Sequence, residues 1–175
     1  MKMTPYFLIA FLVGLSAYIY HTVIHLFEYR GHEFKSRISE NILTIIIFVG
    51  YIAWGFMIFL DPIKMDLSDY IAIPLGLLIG FTGLVMFVLS AKAKKGFHEL
   101  DYIVTEGIYS KIRNPMYLGI ILIHVGFPLA AKSLLTLLSA IIWIPLILMW
   151  EYWEEKDLEE KFGNDYVEYK NGTLF

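Results

Sequence analysis

Apolar runs of membrane-crossing length dominate this chain and leave it little else to become. Residues 5–27, 42–60, 70–91 and 134–150 contain no Asp, Glu, Lys or Arg. Each is near the roughly 20 apolar residues that a bilayer helix needs. One further run, 116–131, the fourth in chain order, is shorter and is interrupted by Gly126 and Pro128, so it is expected to cross tilted or to pair with the last span, 134–150, as a hairpin. The rest of the composition agrees: 58% of the 175 residues are hydrophobic and 18% charged, where a soluble domain carries about a quarter charged residues. The expected fold is all-α. It is a single polytopic membrane bundle over residues 1–175 with about five transmembrane helices, Pro74 tolerated in the first turn of the third and Pro145 kinking the last.

Several classes fall away. A net charge of −3 without a long basic run offers no clustered surface to neutralise phosphates, which excludes nucleic acid as a partner. The absence of cysteine removes disulfides, thiolate metal sites and thiol nucleophiles. The first apolar run is longer than a signal-peptide core and lacks a small-x-small cleavage site after it, so it is read as a retained helix. Positive residues set the orientation. Arg30, Lys35 and Arg37 follow the first run and Lys92, Lys94, Lys95, Lys111 and Arg113 follow the third, whereas the alternate loops hold only Lys64 and Lys132. A multi-pass protein with its amino terminus outside and its carboxyl terminus cytoplasmic is expected. Beyond Trp150, Leu158, Phe162, Tyr166 and Tyr169 recur at helical spacing around Gly163, which predicts a cytoplasmic helix, a break and a second short helical turn.

Ionisable groups inside such spans are costly and mark function by default. His21, His25 and Glu28 share one helix face by their i, i+4, i+7 spacing, with His32 and Glu33 just after. The spacing suits a metal, but five histidines in the whole chain are too few for a membrane di-metal oxygenase, and interfacial hydrogen bonding is the simpler reading. His124, mid-span on the face of Tyr117 and Ile121, should point inward. A haem between His124 and His21 or His25 is geometrically possible, and a satisfied interior histidine is the simpler alternative. Gly76, Gly80 and Gly83 make a small-residue stripe suited to close helix contact within the chain. The many aromatic residues near span ends read mainly as interface anchors, with some able to line a pocket for a cationic or flat ligand.

The chemistry concentrates in two segments. In the first, residues 101–119, Gly107, Arg113, Asn114 and Pro115 precede a span, and Pro115 presets a helical first turn whose free amides are able to hold an anion. In the second, Glu151, Glu154, Glu155, Glu159 and Glu160 line the helix leaving the last span, where carboxylates accept hydrogen bonds from hydroxyls or an amine.

The sequence Ile-Val-Thr-Glu-Gly-Ile-Tyr-Ser-Lys-Ile-Arg-Asn-Pro-Met-Tyr-Leu-Gly over residues 103–119, followed after a hairpin by Trp-Glu-Glu-Lys-Asp-Leu-Glu-Glu-Lys-Phe-Gly over 153–163, resembles the carboxyl-terminal half of the isoprenylcysteine carboxyl methyltransferase family in the broad sense. These are integral membrane methyltransferases to which the phospholipid N-methyltransferases are related. The likeness covers about Lys92 to Tyr169 and implies that residues 92–175 form a cofactor-binding catalytic half after the helices of residues 1–91. The implied cofactor is S-adenosylmethionine, held at the cytoplasmic surface by Ile103, Val104, Gly107, Tyr109, Asn114, Pro115, Tyr117, Glu154 and Glu155. Arg113, Asn114 and Tyr117 are the implied catalytic positions, with Trp150 and His124 toward the acceptor. Methyl transfer from a sulfonium is an in-line displacement that needs positioning more than side-chain chemistry. A lipophilic acceptor then enters from the bilayer, and the polar cofactor from the cytoplasm.

Three positions depart from that pattern. Asn114 stands where the family carries histidine in Arg-His-Pro, and Asp101 replaces a histidine at the start of the loop, with His98 three residues earlier. Trp150 stands where prenylcysteine enzymes carry an arginine for the substrate carboxylate, so an amine, a thiol or a neutral molecule is the expected acceptor. Membrane sterol-type reductases that bind NADPH share part of the pattern. They remain the alternative enzyme class, beside a non-enzymatic haem-binding bundle.

Overall fold

A computed structural model describes residues 5–30, 37–94 and 102–175, without the side chains of residue 28 and residues 37–40. The expectations for His32, Glu33, Lys35, Lys95, His98 and Asp101, and for the side chains of Glu28 and Arg37, lie outside the described residues. Helices α1 (Pro5–Tyr29), α2 (Arg37–Leu60), α3 (Asp69–Ala93), α4 (Pro115–Ala130), α5 (Leu134–Leu138), α6 (Ala140–Phe162) and α7 (Asn164–Asn171) follow in order, with a single 3-10 turn at Gly107–Ser110 before α4. Among the described residues no strand forms, and the only ladder contacts are two isolated bridges. The all-α membrane bundle is the observed fold. Pro5–Phe27, Asn41–Leu60, Asp69–Ala93 and Leu134–Phe162 are long and apolar enough to cross a bilayer, and many of their large apolar side chains face outward.

Helix α4 differs from the expected hairpin partner of the last span. At 16 residues it is about 24 Å long, and its closest-packed neighbour is α3 rather than the helix that follows it. The glycine stripe explains this. A Cβ on Gly119 would stand 2.7 Å from the Gly83 carbonyl, and one on Gly126 would stand 2.6 Å from Gly80 Cα. Only hydrogen at these positions lets the two backbones touch, which is how small residues drive helix association where water provides no hydrophobic force. The expected stripe of Gly76, Gly80 and Gly83 is therefore an internal seam.

The ends of the bundle are fixed by polar contacts. At one end, Asp61 caps Ile63 N at 2.9 Å and accepts from Thr136 N and Oγ1 at 2.8 and 2.9 Å. Lys64 bridges to Ser133, and Lys132 pairs with Asp69. The short turn between α4 and α5 is thereby sewn to the α2–α3 loop. At the opposite end lie Arg30, Lys94, Lys111 and Arg113, after α1, after α3 and before α4. Pro145 sits inside α6, and a turn at Ser139 separates α5 from α6. Helix α6 continues past Trp150 to Phe162, and Gly163 at φ +56° turns the chain into α7. A positive φ is a conformation in which glycine carries no steric penalty, and the break falls where the sequence placed it.

Candidate functional site

The charged end of α6 meets the start of α4. Asn114 has extended-side backbone angles and does not cap its own helix with its side chain. Its amide is free to reach across, donating to Glu151 Oε1 at 2.7 Å and to Glu155 Oε1 at 2.6 Å. Pro115 occupies the first helical turn, as expected. One turn into α4, the Tyr117 hydroxyl donates to Glu154 Oε2 at 2.6 Å, and the other oxygen of Glu154 pairs with Lys94 at 2.5 Å. The Arg113 guanidinium pairs with Glu155. Lys170, from α7, reaches Glu155 Oε2 at 2.8 Å and Glu159 Oε1 at 2.7 Å. Adjacent carboxylates on α6 thus point two ways: Glu154 toward α3 and α4, and Glu155 toward the α4 start and α7.

Burial alone would pull the Lys94 ammonium down, but the neighbouring Glu154 carboxylate outweighs it and holds the pKa above the ordinary lysine value. Lys170 is raised by its bonds to Glu155 and Glu159. Burial raises the Tyr109 hydroxyl, partly offset by Lys94, and pushes Tyr169 to about 12. Tyr166, on α7, is buried, and burial raises it too. Its hydroxyl lacks a hydrogen-bond partner among the described residues, although Glu155 and Arg113 are within electrostatic reach. Buried hydroxyls are normally bonded, so this orphan fits a polar ligand group.

Of the residues expected from sequence, Arg113, Asn114, Pro115, Tyr117, Glu154 and Glu155 are brought together. Tyr109 is buried in the 3-10 turn, where its carbonyl accepts from Tyr169 at 2.8 Å. Gly107 opens that turn at φ +61°. Ile103 and Val104 are half-buried just before it. Trp150 and His124 lie deeper. The Trp150 indole donates to Thr22 Oγ1 at 2.8 Å, and His124 is fully buried, with Nε2 2.9 Å from the Tyr18 hydroxyl, Nδ1 2.8 Å from the Ile120 carbonyl and Trp54 against its face. Both nitrogens of His124 are engaged, which accords with the satisfied interior histidine. Among the described residues no cluster of three or more potential metal ligands forms.

Sequence reasoning missed Lys94 and Lys170 as partners of the carboxylates, and it missed the tail. Arg113 N donates to the Leu174 oxygen at 2.8 Å, Asn114 N to that of Phe175 at 3.2 Å, and Leu174 N to Lys111 O at 2.9 Å. The tail thus takes the amides of Arg113 and Asn114, just ahead of the first turn of α4 whose amides are the ones expected to hold an anion. No spacing signal announces a pairing over about sixty residues.

The phospholipid methyltransferase family matches residues 76–165, which is 90 of the 175 residues. The chain belongs to this family. The matched segment runs from the glycine seam of α3 through Asp165 in α7, so it contains Lys94, Arg113, Asn114, Tyr117, Glu154 and Glu155 and stops short of Lys170. It supports a membrane methyltransferase in the broad sense. Searches of curated proteins and of solved structures returned no match.

Proposed function

We propose that the chain is a multi-pass, S-adenosylmethionine-dependent methyltransferase acting on a lipophilic acceptor, with the charged end of the bundle in the cytoplasm. The observation that carries this reading is the convergence, within the family segment, of Glu154 and Glu155 with Arg113, Asn114 and Tyr117. The donor set suits the cofactor: carboxylates for ribose hydroxyls or an ammonium, a guanidinium for a carboxylate, and the orphaned Tyr166 hydroxyl for one further polar atom. When bound, the cofactor supplies an electrophilic methyl group on a sulfonium. The chain's residues then bind, orient and exclude water. Glu154 is aimed by Lys94 and Tyr117, with Trp150 and Trp153 buried next to it on α6. Positioning of this kind is sufficient for an in-line displacement without an acid or base acting on the donor.

Trp150 also bears on the acceptor. An indole offers one donor and a face that attracts cations, where arginine would offer a fork for a carboxylate, and that one donor is already bonded to Thr22. An amine-bearing lipid headgroup suits this wall better than a prenylcysteine carboxylate does.

The deciding experiment is binding of S-adenosylmethionine and of NADPH to detergent-solubilised protein. S-adenosylmethionine should bind, and Glu154→Ala should weaken it by about ten- to a hundredfold, as expected for a hydrogen bond to a charged group. The exposed Glu160→Ala should not. Binding of NADPH alone would overturn the assignment.

A further inference from the structure

His21 lies on α1, outside the family segment, and has no hydrogen bond to the cofactor network among the described residues. Its Nδ1 is buried without a hydrogen-bond partner among the described residues. Its ring is packed between the His25 ring and the Trp150 indole, with both centroid distances 4.4 Å. His25, one turn further along the same face, is within electrostatic reach of Glu154, and Trp150 is one turn before Glu154 on α6. The orphaned nitrogen is therefore beside the cofactor network, on the side toward the bilayer interior. The indole nitrogen of Trp150 is already committed to Thr22, and its buried ring packs on Tyr18 and His21, so a ligand meets Trp150 only through that ring.

We propose that His21 Nδ1 and the Trp150 ring form the seat of the acceptor's nitrogen, and that His21 discriminates between headgroups by the N–H bonds they still carry. This rests on the methyltransferase reading above. With the imidazole proton on Nε2, His21 Nδ1 only accepts, and a buried acceptor left unsatisfied is costly. An ammonium or amine fills it with an N–H, while its positive charge rests on the indole face. An anion finds no such support, since the rings packed on His21 are an imidazole and an indole and the nearest charged side chain on α6 is a carboxylate. Each methyl transfer replaces one N–H with N–CH3: a proton leaves the nitrogen, the N–C bond forms and the S–C bond of the donor breaks. A fully methylated nitrogen has no hydrogen left for His21, so the product loses the contact that held the substrate.

The test uses the full chain in micelles, without cofactor, and two short-chain phospholipids that differ only in a primary or a trimethylated ammonium headgroup. Wild type should bind the primary ammonium about tenfold more tightly or better, as one charge-assisted hydrogen bond implies. His21→Phe should lose that preference to within about threefold, and His21→Gln, whose amide oxygen still accepts, should keep part of it. Nitrogen NMR of labelled wild-type histidine needs no variant: the primary ammonium should shift the His21 Nδ1 resonance and the trimethylated one should not. A wild type without headgroup preference, or a preference unchanged in His21→Phe, overturns the proposal. Methyl transfer from labelled S-adenosylmethionine, followed on the same samples, reports separately on the enzymatic reading. Transfer without headgroup preference removes the His21 seat alone, and preference without transfer removes the enzymatic reading alone.

Discussion

Replacing Glu155 with alanine should loosen the charged end more than any other single carboxylate change. Glu155 receives Arg113, Asn114 and Lys170 and so ties the α4 start, α6 and α7 to one another. The side chains of Glu155 and Arg113 are only 10% and 16% exposed, too little for water to replace the lost contact. Breaking a buried ion pair by removing one partner costs about 3–5 kcal/mol. Asn114 keeps Glu151 and Lys170 keeps Glu159, which places the expected loss near ~3 kcal/mol. At about 1.4 kcal/mol per tenfold, local opening of α7 becomes roughly a hundredfold more frequent. Amide hydrogen exchange resolves such openings segment by segment. Exchange should rise over residues 164–171 and at Arg113 and Asn114, whose amides bond to the tail. It should stay unchanged along the α3–α4 seam. Glu155→Gln, which keeps an oxygen for Asn114, should show a smaller rise. An increase below about threefold in Glu155→Ala, or an equal increase in Glu160→Ala, would refute the reasoning.

Gly126→Val places a side chain into Gly80 Cα and the Gly76 carbonyl. Because the obstruction is backbone, it should destabilise the fold by at least the upper part of the about 1–3 kcal/mol typical of overpacking, read as a lowered thermal midpoint in detergent. Gly55→Ala, with open space around it, should leave the midpoint in place. Tyr169 is raised to about 12, chiefly by burial, so the folded state holds that proton more tightly. Its contribution is fully present below the ordinary value of 10.0 and is lost as pH rises through about 12; the stability difference from Tyr169→Phe should be flat near neutrality and shrink above that lower value. In this cysteine-free chain, a cysteine at the exposed Lys111 should be labelled by an impermeant reagent only after permeabilisation, and one at the exposed Asp66 from outside intact cells. The reverse pattern would invert the orientation.

What the sequence made legible was set by periodicity and local chemistry. Span positions, the break at Gly163, the Pro115 start of α4 and the Arg113–Asn114–Tyr117 to Glu154–Glu155 correspondence all rest on neighbours within a few turns or on a shared motif. What it hid are contacts between distant elements. Lys94 reads as a topology-setting charge until its ammonium is seen against Glu154 of α6. Lys170 has no motif, and the tail pairing at Arg113 runs through main-chain atoms that any residue supplies. The pairing of α4 with α3 was open in the sequence because the glycine stripe states that a close neighbour exists without saying which. His21 was visible as a polar residue on an apolar helix. That its ring packs on Trp150 while Nδ1 stays unbonded among the described residues is a matter of helix rotation, which a four-residue spacing leaves undetermined.

Helix α4 is able to be short because its two faces carry different duties at the same spacing. Gly119 and Gly126 are seven residues apart and share the face against α3. Tyr117 and His124 are also seven apart, and they face Glu154 and Tyr18. The two pairs are offset by two residues, about 200° around a helix of 3.6 residues per turn, so packing and chemistry occupy opposite sides of one cylinder. Fixing the glycine face against the α3 backbone fixes the rotation of α4, and that rotation is what aims the Tyr117 hydroxyl at α6. Inserting one residue between Asn114 and Tyr117 would turn the α4 start by about 100° relative to the seam, drawing Asn114 off Glu155 while leaving Tyr117 on Glu154. The site is in this sense assembled by the seam, and the contacts at the α6 and α7 end then lock an orientation that the glycines have already chosen.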